Sequence, residues 1–213
     1  MSNSLTFPGD ALQQLSGVVR DLGTAREGAC SVVLTSAVQD EGVSSAALAL
    51  ATSLADQQGL RVLLIDANLR RPNLHALCDV QRTPGFSELL SSGASWRQQG
   101  QQVADNLRVL GAGAALDNPA RVMQTSTLKV GLASLADDFD WVVFDCPPVN
   151  TCAETVALAT ASDGCVMVVR SGRTRREVVQ DAKRRLEQGG AHLAGVVLNR
   201  RRYYIPEALY RWL

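Results

Sequence analysis

The stretch from Ser31 to Arg71 allows few folds. SVVLTS reads as a buried strand, AVQDEGVSS as a glycine-bearing loop, AALALATSLADQQG as a helix that stops at Gly59, and RVLLIDANLRR as a second strand leading into a turn. A strand that enters such a loop and opens a helix gathers backbone N–H groups and the positive end of the helix dipole at one point. Chains cradle phosphate groups in this way. The common pattern for such a loop, G-x-x-x-x-G-K-[ST], places a lysine directly after its last glycine. Here Gly42 is followed by Val43, Ser44 and Ser45. The frame is kept and the lysine is absent.

The flanking sequence continues the alternation of strands and helices. Asp10–Leu22 carries a helical apolar stripe, and Val32–Thr35 and Arg61–Asp66 read as strands. A short helix is expected over Gly85–Ser92, a strand over Leu107–Leu110, and one helix over Ala120–Asp138, with Pro119 inside its start. Trp141–Asp145 is a strand, Ala153–Ala161 a helix, Gly164–Arg170 a strand, Thr174–Gln188 a charged helix and Ala194–Leu198 a last strand. Continuously hydrophobic strands are those covered on both faces. The expectation is therefore an α/β three-layer sandwich, a mostly parallel sheet with helices on both sides, formed as a single domain over residues 1–213. A loose N-terminus to about residue 9 and a basic-aromatic tail from about residue 200 flank it.

Composition narrows the function classes. Lys and Arg number 21 against 21 Asp and Glu, so no overall field points to nucleic acid. Only Lys129 and Lys183 are lysines, and neither is near the loop. Cys30, Cys78, Cys146, Cys152 and Cys165 show no C-x-x-C or metal-ligand spacing and read as buried, reduced thiols. No leader is expected at residues 1–10, and no apolar run reaches the ~18 residues of a membrane span. These features suit a cytoplasmic chain.

In open α/β sheets, ligands bind beyond the carboxyl ends of the strands. Three strand ends carry candidate groups here: the Gly42 loop, Asp66 and Asp145. Magnesium takes hard oxygen ligands, commonly one or two carboxylates beside phosphates and water. A hydroxyl at Ser44 with Asp66 and Asp145 would meet that need. The alternative is that aspartate ends strands because it suits turns.

Four stretches carry a resemblance that runs from Ser31 to Asn199: TSAVQDEGVSSAALALATSLA, VLLIDANLRRPNLH, NPARVMQTSTLKVGLASLADDFDWVVFDCPPV, and SDGCVMVVRSGRT with AGVVLNR. Together they resemble the bacterial tyrosine kinases of capsule and exopolysaccharide systems, a branch of the MinD/ParA-type P-loop ATPases. The resemblance implies ATP or ADP with Mg²⁺ as cofactors. It makes Gln39, Asp40, Glu41, Gly42, Val43, Ser44 and Ser45 the phosphate loop, and Ser44, Asp66 and Asp145 the metal site. Asp66 matches the first acid of the D-x-D motif and Asp145 the acid that precedes a Pro-Pro turn. Glu154 matches a common Asp, and Asn199 a position that contacts the nucleotide base.

Three departures bear on mechanism. Val43 replaces the lysine, Asn68 the second acid of D-x-D, and Gln39 an early loop proline. Removing one group that stabilises charge in a transferring phosphoryl costs ~10²–10³ in rate. Asp66, Asn68 and Asp145 thus form a degenerate catalytic set, with Arg70 or a neighbouring subunit's arginine as a replacement cation. Nucleotide binding is expected to be weakened or lost.

All three tyrosines, Tyr203, Tyr204 and Tyr210, fall in the last eleven residues. In the resembled kinases such a cluster is the autophosphorylation target. The tail could equally meet a membrane surface, or pack on the domain or a subunit interface. The resemblance implies a regulator or scaffold of exopolysaccharide synthesis and export, held near the inner membrane by the cytoplasmic tail of a membrane-embedded chain-length determinant. Homo-oligomers fit it and nucleic-acid partners do not. A residually active autokinase or ATPase, and a spatial-positioning ATPase, are the alternatives.

Overall fold

The computed structural model describes residues 8–24, 28–92 and 100–200. Its strands are β1 (Cys30–Ser36), β2 (Val62–Asp66), β3 (Gln101–Ala104), β4 (Leu107–Leu110), β5 (Trp141–Asp145), β6 (Gly164–Arg170) and β7 (Leu193–Asn199). Its helices are α1 (Gly9–Thr24), α2 (Val43–Gln58), α3 (Leu74–Cys78), α4 (Phe86–Ser92), α5 (Pro119–Val122), α6 (Thr125–Ser134), α7 (Ala153–Ala161) and α8 (Arg176–Gln188). The sheet order is β3-β4-β2-β5-β1-β6-β7, and every pairing is parallel except β3 with β4.

Successive residues of the central strands feed two different cores, because side chains alternate across a sheet. Val33, Leu63, Ile65, Val142 and Phe144 pack with Phe86, Leu89, Leu128, Leu158 and Leu186 of α4, α6, α7 and α8. Val32, Leu34, Val62, Leu64 and Val143 pack with Leu15, Val19, Leu50, Leu54 and Leu74 of α1, α2 and α3. Helices therefore cover both faces, as the uninterrupted apolar strands predict.

Three elements depart from the sequence reading. The helix expected over Ala120–Asp138 is broken at Met123 and Gln124, which leave helical geometry with ψ of 65° and 137°. The break carries Met123 into the core, where it is 2% exposed. Strand β3 has no counterpart among the expected elements: it is a polar edge strand, mostly exposed, and owes its form to pairing with β4 rather than to burial. Helix α3 occupies a stretch expected to follow a turn without further regular structure. None of the five cysteines is in a disulfide. Among the described residues no helix is long and apolar enough to cross a membrane. Tyr203, Tyr204 and Tyr210 lie outside the described residues.

Candidate functional site

Strand β1 lies between β5 and β6, and the chain leaves it for β2 on one side while β5 connects to β6 on the other. Such a reversal opens a crevice at the carboxyl ends of the strands. A cavity of about 660 Å³ sits there. Of the expected residues, Gln39 through Ser45, Asn68 and Asp145 line it, joined by Arg70, Arg71 and Arg200. Asp66 and Asn199, 0% and 3% exposed, stand behind that lining.

The loop owes its shape to two left-handed residues, Asp40 at φ 63° and Gly42 at φ 88°. Gly42 caps α2 with no side-chain acceptor for the first turn. The first amides of a helix have no carbonyl partner within it. In α2 they belong to residues that line the cavity, which makes an anion cradle.

Glu41 holds the loop from inside. Its carboxylate, 1% exposed, accepts the amides of Ala37 at 3.1 Å and Val38 at 3.3 Å through one oxygen. The other oxygen accepts the Arg170 amide at 3.0 Å and the Thr174 hydroxyl. Asn199 donates from Nδ2 to the Glu41 carbonyl at 2.8 Å and lies where a side chain on residue 42 would have to go. Glu41 and Asn199 thus brace the cradle from β6 and β7 rather than project into it. The resemblance expects Asn199 at a base; here its amide is engaged by the loop and by the Arg200 N–H at 2.7 Å.

Asp66 and Asp145 are direct neighbours across β2 and β5. The Asp66 carboxylate accepts three backbone amides, from Asn68 at 3.2 Å and from Asn73 and Leu74 at 2.9 Å. It fastens the 68–74 turn and the start of α3. Burial pushes its carboxyl up to about 6, against the pull of those amides. Asp145 is pushed to about 8, first by burial and then by the Asp66 charge, with the Ser44 hydroxyl opposing. Its Oδ2 is buried with no hydrogen-bond partner among the described residues.

An orphaned carboxylate oxygen beside a serine hydroxyl at an anion cradle fits Mg²⁺, which needs few protein ligands and completes its shell with phosphate and water. No cluster of three His, Cys, Asp or Glu that could hold a metal occurs among the described residues. The donor set therefore suits a metal brought with phosphate rather than a cage made by the protein alone.

Val43 opens α2, and its partly buried side chain packs against the core formed by α1, α2 and α3. Asn68 accepts the Arg71 amide at 3.1 Å through its side-chain oxygen. Arg70 grips Glu154 with two bonds, at 2.6 and 3.4 Å, and Glu154 is 2% exposed. Arg71 reaches Gln39 of the loop, Nη1 to Oε1 at 2.5 Å. Sequence reasoning did not find the tie from Glu41 to β6 or the placement of Arg71 and Arg200. The Glu41 tie and the Arg71–Gln39 bond join positions 129 and 32 apart, and no spacing marks them.

The family model described as cellulose biosynthesis protein BcsQ matches residues 31–189. The tyrosine-protein kinase YwqD of Bacillus subtilis is 36% identical over 170 residues, which cover 79% of this chain and 71% of that protein. Among solved structures, the VpsO kinase domain is similar with a TM-score of 0.80 and 29% identity, over 91% of this chain and 94% of that one. The septum site-determining protein MinD of Pyrococcus horikoshii, solved with Mg-ADP, shares the fold at a TM-score of 0.67 and 18% identity, over 86% and 76% of the two chains.

Proposed function

Since this chain belongs to the BcsQ/ParA-like family of P-loop proteins and stands with its bacterial tyrosine kinases, we propose that it is a catalytically impaired member which holds Mg-nucleotide as a ligand and acts as a regulator or scaffold. The system it serves, on this reading, is exopolysaccharide synthesis and export. Its partner is the cytoplasmic tail of a membrane-embedded chain-length determinant, which keeps the chain at the inner membrane, with self-association as part of the assembly.

The observation that carries the reading is Val43. The cradle around it is complete, yet the position that should aim an ammonium at the β- and γ-phosphates packs an isopropyl group into the core. The loop amides and the first turn of α2 bind the polyphosphate. Ser44 and Asp145 hold Mg²⁺, which supplies charge neutralisation on the phosphates when bound. Asp66 supports them from behind, its carboxylate fixing the 68–74 turn through three amides. Binding and orientation survive, and the charge that should follow the transferring group does not. A rate deficit of roughly 10²–10³ follows from losing one such group.

Calorimetry with ATP and ADP, with and without Mg²⁺, tests the binding half, and turnover by the native protein and Val43→Lys tests the catalytic half. Mg²⁺-dependent binding with turnover that rises at least tenfold in Val43→Lys is the expected result. Native turnover at an ordinary kinase rate of about 1–100 s⁻¹, or phosphate on Tyr203, Tyr204 or Tyr210 that disappears with Asp145→Ala, would overturn the impairment.

A further inference from the structure

Two positions at which this sequence departs from the family pattern, 39 and 68, meet at Arg71, Gln39 at its guanidinium and Asn68 at its backbone amide. We infer that Arg71, held against the loop by Gln39, supplies at the polyphosphate end of the cavity the positive charge that residue 43 no longer provides. The inference rests on the reading that a nucleotide's phosphates occupy this cavity, and it names the residue that recognises them.

Arginines 70, 71 and 200 all line the cavity, and they are not equivalent. Arg70 has its guanidinium across the buried Glu154 carboxylate, so its charge is already neutralised and its position is fixed by that pair. Arg200 bonds to the brace through its backbone, at the end of β7. Arg71 is tied at both ends to the site itself. Its amide bonds to the Asn68 side chain and its guanidinium to the Gln39 side chain. Both partners are uncharged amides, so the cation is oriented without being cancelled, and a guanidinium keeps further N–H donors for an anion.

Charge balance points the same way. Replacing the loop lysine by Val43 removes one positive charge, and replacing an acid by Asn68 removes one negative charge beside Arg71. Arg71 belongs to the LRRP stretch that carries the resemblance, so the cation at the rim is kept, and the neutral Asn68 beside it leaves its charge uncancelled. A proline at 39 could not accept the guanidinium bond. An aspartate at 68 could accept the same backbone bond, but it would also attract the guanidinium and neutralise it. From the rim, Arg71 meets phosphate oxygens in the bound state. Position 43, at the first turn of α2, is where a lysine would track the group in transfer. Binding strength and transfer rate are thereby separated.

The test is calorimetric titration of ADP, ATP and AMP with Mg²⁺ into the full chain and its variants. Arg71→Gln is expected to weaken ADP and ATP binding about tenfold or more, as loss of a charge-assisted hydrogen bond does, and to change AMP binding much less. Arg71→Lys should recover part of the loss, and Gln39→Ala should cost a smaller factor of about threefold by freeing the side chain. Val43→Lys should restore ADP binding in the Arg71→Gln background by a larger factor than it improves the native protein. Unchanged thermal melting of Arg71→Gln separates lost recognition from lost folding. ADP and ATP affinities within twofold of native in Arg71→Gln, beside clear binding by the native protein, overturn the inference and leave the functional reading standing. No binding by the native protein at millimolar nucleotide overturns both.

Discussion

At the amino-terminal edge of the sheet, Asp140 accepts the Arg61 backbone amide at 2.8 Å and its guanidinium at 2.8 and 3.3 Å, and its carboxyl is held below the usual range. Asp163 on the same edge accepts both the amide and the hydroxyl of Ser31, at 2.8 and 2.7 Å. At the carboxyl-terminal edge, Asp66 and Asp145 sit side by side, more deeply buried, with no arginine bonded to either among the described residues, and both are pushed upward. A cavity opens at each edge, about 480 Å³ below and 660 Å³ above. The lower cavity includes Asp163, whose oxygen is satisfied by Ser31; the upper one includes an acid whose oxygen is not. Between these two cavities the difference lies in the acid that lines each one, Asp163 held by Ser31 and Asp145 with an oxygen to offer.

The sharpest way to break this contrast is at Glu41, which belongs to the upper edge yet is fully satisfied. Glu41→Ala strips partners from the amides of Ala37, Val38 and Arg170 and from the Thr174 hydroxyl, and should lower unfolding stability by about 3 kcal/mol. Urea denaturation reads this directly, and a loss below about 1 kcal/mol would mean that the loop does not depend on the brace.

Asp145→Asn should act in the opposite sense. Asp66 and Asp145 carry folded-state values near 6 and 8, above those of an unfolded aspartate. The folded protein therefore binds more protons than the unfolded chain from about pH 4 to about pH 8, and its stability falls as pH rises through that window. The substitution should raise stability at pH 8 by about 1–3 kcal/mol and leave it nearly unchanged at pH 4. Parallel stability curves for the two proteins across that range would remove the claim that Asp145 is strained.

The lower edge gives smaller effects. Ser31→Ala removes a hydroxyl that donates to Asp163 and accepts the Asp163 amide at 3.0 Å, and should cost about 1 kcal/mol in chemical denaturation. Asp140→Asn breaks a salt bridge whose side chains are 49% and 37% exposed. Solvent screening limits that loss to a few tenths of a kcal/mol. A thermal shift larger than that of Ser31→Ala would reverse the order. The Asp140 contribution also has the opposite pH sense: it is present above an unfolded aspartate's value and is lost as pH falls through the depressed folded one.

How much of this was legible depended on range. The strand, loop and helix around Gly42 are contiguous, and the apolar runs that end in Asp66 and Asp145 announce themselves, so the upper edge could be placed from sequence. The register that sets those two acids side by side follows from strand order, which local periodicity does not encode. Glu41 reads as one more polar loop residue, because the partners that tie it to the rest of the fold lie 129 and 133 positions away. Strand β3 has no apolar alternation to betray it, and the break at Met123 interrupts a run whose residues all suit a helix.

The brace behind the loop also bears on how such a chain changes over generations. Glu41 and Asn199 hold the cradle's backbone from within, and residue 43 has no part in that framework beyond apolar packing. The backbone of the cradle is therefore held without a bond from the side chain at position 43, whose part is apolar packing. A receptacle braced in this way can outlast a change of side chain at position 43.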